Sequence, residues 1–143
     1  GASSSGVLAI NNGYIDSINN QSLSGSQVGT IAGGQYGIAV QSGGTIGSIL
    51  NAGSILGGTA IQVVRGSQLT NGITNSGLIY GSGMMNAAGI AVGSAASIVG
   101  GITNSGLIIG NSNGVLAYAS STVIGGISNS GLINGASSSG VLA

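Results

Sequence analysis

Only two side chains in this sequence are charged at neutral pH, Asp16 and Arg65. The chemistry open to such a pair is that of a general acid, a ligand contact or an ion pair. Enzymes that cut or eliminate polysaccharides on stacked-strand scaffolds need clusters of carboxylates and basic groups on one face. One acid and one base in different repeat units cannot assemble such a cluster, so no catalytic activity is expected. As ordinary surface residues they are solvated turn positions, or one surface ion pair worth about 0–1 kcal/mol. Four tyrosines, Tyr14, Tyr36, Tyr80 and Tyr118, have faces on which a sugar ring could stack. Scattered in this way, they read more readily as loop and corner packing. Gly43-Gly44 and Gly81-Ser-Gly83 lack the Gly-Lys-Ser/Thr ending of a phosphate loop. Calcium-binding solenoid repeats need an Asp in every turn, and there is one. With no His and no Cys either, no metal and no cofactor are expected.

One chemically capable residue type does recur in order. Asn20, Asn51, Asn75, Asn104 and Asn129 follow one another at spacings of 31, 24, 29 and 25 residues. Amides stacked at strand spacing can bond to one another in a ladder, which removes the cost of burying them. Their setting is a repeated motif. Gly72-Ile-Thr-Asn-Ser-Gly-Leu-Ile79 returns unchanged at Gly101 to Ile108, and with Ser for Thr at Gly126 to Ile133. A weaker copy is Ile49-Leu-Asn-Ala-Gly-Ser-Ile55. The most degenerate runs from Ile18 to Leu23, with Ser22 at the Gly position and one residue lost.

These copies need elements to hold them in line. Before each lies a second apolar piece: Gly6-Val-Leu-Ala9, Gly37-Ile-Ala-Val40, Ala60-Ile-Gln-Val63, Gly89-Ile-Ala-Val92 and Gly114-Val-Leu-Ala117. A third short piece, such as Ser97-Ile98-Val99 or Thr122-Val123-Ile124, sits between them. Short β-branched runs bounded by Gly, Ser and Asn read as strands, and 31 glycines in 143 residues work against stable helices. Asn-Gly pairs at 12–13, 71–72, 113–114 and 134–135 read as turns.

A strand–turn unit of about 27 residues cannot bury its apolar face alone, whereas stacked copies can. The expected fold is therefore all-β: a parallel β-solenoid (β-helix) of about five coils with three short strands per coil. Ile, Val and Leu should form inward columns, and the five asparagines should share one corner. The absence of Pro and the near-absence of charge fit this. Proline has no N–H for a ladder, and like charges stacked at coil spacing repel. The longest spacings contain Ser26 to Tyr36 and Ser82 to Ala88, which should leave the solenoid as protrusions; Val28 to Ile31 is the alternative, a small extra strand. Residues 1–9 and 135–143 are identical, which suggests a superrepeat of residues 1–134 with the next one starting at 135–143.

The motif Gly-Ile-Thr-Asn-Ser-Gly-Leu-Ile, preceded by Gly-Ile-Ala-Val, resembles the repeats of bacterial autotransporter passenger domains and related large surface adhesins. Leu78, Leu107 and Leu132 stand where such repeats often carry Thr. The resemblance implies export, a β-helix at the bacterial cell surface, and a role in adhesion, biofilm or as a stalk. On this basis the chain is expected to be the structural shaft of an extracellular fibre or adhesin. The alternatives are an amyloid-like fibre subunit and, less favoured, an ice-binding solenoid, since the seven threonines form no regular pairs. The partner expected is another copy of the chain. One Arg cannot neutralise a row of phosphates, so nucleic acid is not expected. No run approaches the roughly 18 apolar residues of a membrane helix, so this segment should not insert in a bilayer. In each Gly-Leu-Ile, neighbouring side chains should face opposite ways. With Ile inside, Leu78, Leu107 and Leu132 would form an outward stripe for lateral contact between shafts.

Overall fold

The computed structural model describes residues 4–22 and 27–143. The chain winds through five coils and begins a sixth. Coil one holds β1 (Ser5–Ala9), β2 (Tyr14–Asn20) and β3 (Thr30–Ala32). Coil two holds β4 (Tyr36–Val40), β5 (Thr45–Asn51) and β6 (Ser54–Gly57). Coil three holds β7 (Thr59–Val64), β8 (Gln68–Leu69), β9 (Ile73–Asn75) and β10 (Leu78–Gly81). Coil four holds β11 (Ala88–Gly93), β12 (Ser97–Ile98), β13 (Ile102–Asn104) and β14 (Leu107–Gly110). Coil five holds β15 (Asn113–Ala117), β16 (Thr122–Val123), β17 (Ile127–Asn129) and β18 (Leu132–Gly135), and β19 (Val141–Leu142) opens the next turn.

Three faces result, and every named strand pairs in parallel with its counterpart one coil away. The first face is the sheet β1-β4-β7-β11-β15-β19. The second is β3-β6-β10-β14-β18. The third joins β2 to β5, and β5 to both β8 and β9, which continue through β12 and β13 to β16 and β17. The fold is thus the parallel solenoid that the repeat predicts. From the third coil on, the third-face strand is broken in two. Between Ile46 and Ile49 the chain has two residues, but between Leu69 and Ile73, and at the same place in later coils, it has three. That extra residue leaves the ladder.

Five aliphatic columns fill the interior. One runs Val7, Ile38, Ile61, Ile90, Val115 and Val141. Another runs Ile31, Ile55, Ile79, Ile108 and Ile133. A third runs Ile18, Ile49, Ile73, Ile102 and Ile127. The other two start at Ala9 and Ile15. In coils two to four these side chains are essentially sealed from solvent. Burying one such side chain contributes about 1.5–3 kcal/mol, so the columns are the main favourable term, repeated once per coil.

Three expectations need correction. The motif is not one strand: it bends at Asn-Ser-Gly, so that β9 lies on the third face and β10 on the second. The first coil also closes differently. Ile31, not Leu23, stands over Ile55, and Gly29, not Ser22, takes the Gly position. The segment Ser26 to Tyr36 thus follows the alternative reading and supplies a strand, β3, at Thr30–Ala32 rather than the expected Val28 to Ile31, and this strand completes the core. Between Asn20 and Gly29 the sequence has eight residues, where the next coil has one between Asn51 and Gly53. Leu23 and Ser26 lie outside the described residues. The second expected protrusion does leave the solenoid: between Gly81 and Ala88 the chain makes a loop with Met84 fully and Met85 largely in solvent. Asn113-Gly114 and Asn134-Gly135, read as turns, lie within β15 and β18.

The corner after each first-face strand is built from two successive residues in the left-handed region. They are Asn11 and Asn12, Ser42 and Gly43, Arg65 and Gly66, Ser94 and Ala95, and Ala119 and Ser120, with φ between 51 and 76°. That conformation costs a residue with a Cβ about 1–2 kcal/mol. The corner recovers part of this by bonding between coils. The N–H groups of Asn12, Gly43, Gly66 and Ala95 donate to the carbonyls of Ser42, Arg65, Ser94 and Ala119 in the coil above, at 3.3, 3.2, 3.0 and 3.0 Å.

Candidate functional site: an asparagine ladder and two outer faces

The bend in the motif is what brings the five asparagines together. Each ends a third-face strand with its side chain turned inward, next to an Ile of the same strand that faces the core. Asn20 Nδ2 donates to Asn51 Oδ1, Asn51 to Asn75, Asn75 to Asn104 and Asn104 to Asn129, each at 2.7 Å. The same nitrogens also reach the carbonyls of Ser54, Leu78, Leu107 and Leu132 in the coil above, each at 3.1 Å. Own-coil carbonyls, such as Gly77 O for Asn75 at 3.1 Å, complete the set. Asn51, Asn75 and Asn104 are buried to 1% exposure or less, whereas Asn129 at the end is exposed. In so dry a place a satisfied amide chain is strong, and a broken one expensive.

The Gly two residues after Asn51, Asn75, Asn104 and Asn129 is demanded by the coil beneath. A Cβ on Gly77 would strike the carbonyl oxygen of Gly53, and one on Gly106 or Gly131 would strike Gly77 or Gly106 likewise. The Asn-x-Gly unit is thus one device: the amide ties neighbouring coils together, and the glycine lets them approach.

Leu78, Leu107 and Leu132 lie in register on the outside of the second face. Leu78 is half-buried, and Leu107 and Leu132 are 42% and 48% exposed. No loop of the described chain covers the column. Below it the same positions are Ser54 and Thr30. The parallel column beside it carries Leu56, Tyr80 and Ile109 and then Asn134, so the outer face is most apolar in coils three and four.

The first face also has a shallow groove of about 530 Å³, lined among others by Tyr36, Thr59, Gln62, Met85 and Tyr118. Gln41 Nε2 donates to Gln62 Oε1 at 2.8 Å on this face. The Tyr118 ring lies over Gly93 of the coil beneath, where any Cβ would collide with it, so one side of the ring is used in packing. Tyr80 Oη donates to Asn111 Oδ1 at 3.3 Å. Asp16 and Arg65 are far apart in the winding. Asp16 is exposed on β2 in coil one, and Arg65 occupies the left-handed corner of coil three. Tyr14 Oη donates to Asp16 Oδ1 at 3.2 Å. This bond and the carboxylate's charge raise the Tyr14 pKa above its ordinary value of 10.0. The left-handed corner stack was missed in the sequence, because Ser-Ala and Ala-Ser carry none of the usual turn signals.

Comparison of the chain with protein-family models, with curated proteins and with solved structures found no match.

Proposed function

We propose that this chain is a segment of a stiff structural shaft in an extracellular bacterial fibre or surface adhesin. One observation carries the reading: five aliphatic columns and an amide ladder pass from the first coil to the fifth without interruption. Such a stack resists bending and stretching, because every coil is held by backbone bonds, core contacts and an amide rung at once. The neutral outer surface lets identical residues stack without repulsion. The resemblance of the motif to autotransporter and adhesin repeats supports the bacterial surface as its place.

Shafts of this kind associate side by side through the leucine column, since an exposed apolar stripe marks a contact surface and no charge opposes close approach. Labelling intact cells with antibody against residues 82–88 tests the location, with electron microscopy as readout. Decoration of thin surface fibres is expected; labelling only after lysis would overturn it. The intact mass of the native material separates a long covalent shaft from the amyloid-like alternative, in which the subunit would be near 13.4 kDa.

A further inference from the structure

The two ends of the stack differ in a way that makes them fit each other. We propose that the open side of the fifth coil accepts the first coil of a second copy of this chain, head to tail, so that every column and both ladders continue through the joint. This rests on the shaft reading and names its axial partner.

The amide ladder has a direction. Asn129 Nδ2 donates only to its own coil, at Gly131 O, 3.1 Å, and lacks the partner above that every other rung has. At the other end, Asn20 Oδ1 receives no donor among the described residues. One end thus offers a hydrogen and the other a lone pair. The left-handed corner has the same polarity: Ser120 N–H is without an acceptor and the Asn11 carbonyl without a donor among the described residues. Head-to-head contact would set donor against donor. Head-to-tail contact satisfies both ladders at once.

The core agrees. Ile127 and Ile133 in coil five and Ile15 and Ile31 in coil one are only partly buried, whereas their counterparts between are sealed. Each half-exposed end of a column would cover the other. The register is already visible, because residues 135–143 repeat residues 1–9 and their strand β19 pairs with β15. Val141 stands in the column that Val7 begins, and Leu142 in the column that Leu8 begins. The structure therefore already holds this sequence in the place that a second copy's first strand would take. With the nine shared residues counted once, the step from Asn129 to Asn20 of the second copy is 25 residues, equal to the step from Asn104 to Asn129.

The test is a polypeptide in which residues 1–134 are followed directly by residues 1–143, so that each copy keeps the whole of this sequence. Nitroxide labels are placed on Ser128→Cys of the first copy and Asn19→Cys of the second, which the joint sets one strand spacing apart, about 4.8 Å between backbones. A control pair, Thr103→Cys and Ser128→Cys in one chain, sits at the same spacing within a copy. Equal dipolar broadening in both pairs is expected, with one cooperative unfolding transition at a higher temperature than for the single chain. Asn129→Ala should lower that temperature more in the first copy than in the second. If the control pair is close but the pair across the joint is not, or if the copies unfold separately, the proposal is overturned. Surface labelling of the native fibre would stand regardless, so failure of the joint is distinguishable from failure of the shaft reading.

Discussion

Asn75 Nδ2 donates to Asn104 Oδ1 at 2.7 Å, with both side chains essentially sealed from water. The two residues are 29 positions apart in sequence and occupy the same corner of successive coils. Each amide both accepts from the rung beneath and donates to the rung above, and this dependence makes the ladder testable rung by rung.

Asn75→Ala should cost about 2–4 kcal/mol. It leaves Asn104 Oδ1 without its donor in a dry interior, at about 1–3 kcal/mol for an unsatisfied group, and removes the bonds that Asn75 makes to Asn51, Gly77 and Leu107. Asn129→Ala removes an exposed terminal rung and should cost about 1 kcal/mol. Urea denaturation compares the two. Equal losses would mean that the interior rungs are not specially dependent on one another.

Ala119 occupies the left-handed corner at φ 51°. Ala119→Gly relieves about 1–2 kcal/mol of steric cost against about 0.5–1 kcal/mol of extra unfolded-chain entropy. A net gain of about 0.5–1 kcal/mol is expected. Ala119→Val should lose stability instead, because a branched Cβ tolerates this region worst. Thermal melts of the two variants should move in opposite directions.

Replacing Leu78, Leu107 and Leu132 together by Thr should leave the solenoid folded, since all three point outward and Thr suits a strand surface. Circular dichroism should be unchanged, while side-by-side bundling seen by electron microscopy should disappear. Bundles that persist in the triple variant would remove the leucine column as the lateral contact.

Tyr14 should titrate above the ordinary tyrosine value, because its hydroxyl proton is held by Asp16. The folded chain then keeps a proton that the unfolded chain gives up. Stability is unaffected below pH 10 and falls as the pH rises through the tyrosine range. Asp16→Asn removes the charge and should bring Tyr14 back toward its ordinary value, read by ultraviolet absorbance of tyrosinate. A Tyr14 titration that ignores this substitution would refute the pairing.

Much of this architecture is written in the sequence because the repeat is its own evidence. Three near-identical copies of Gly-Ile-Thr-Asn-Ser-Gly-Leu-Ile can bury their isoleucines only by stacking, and stacking sets Asn over Asn and Leu over Leu. The solenoid, the inward columns, the ladder and the outward leucines all follow from that periodicity. Tertiary structure decided what periodicity leaves open. In coil one, Leu23 and Ile31 compete for one core position in local sequence. Ile31 takes it, with Gly29 at the tight position before it, where a Cβ would strike the Gln21 carbonyl oxygen of the same coil. The bend at Asn-Ser-Gly was hidden, because a strand that turns a corner keeps the same alternation on both sides of it. The left-handed corners at Ser94-Ala95 and Ala119-Ser120 have no local signal at all. Ser94-Ala95 is bonded by the coils on both sides and Ala119-Ser120 by the coil beneath, and a preference imposed by neighbours in space cannot be read from the residues alone.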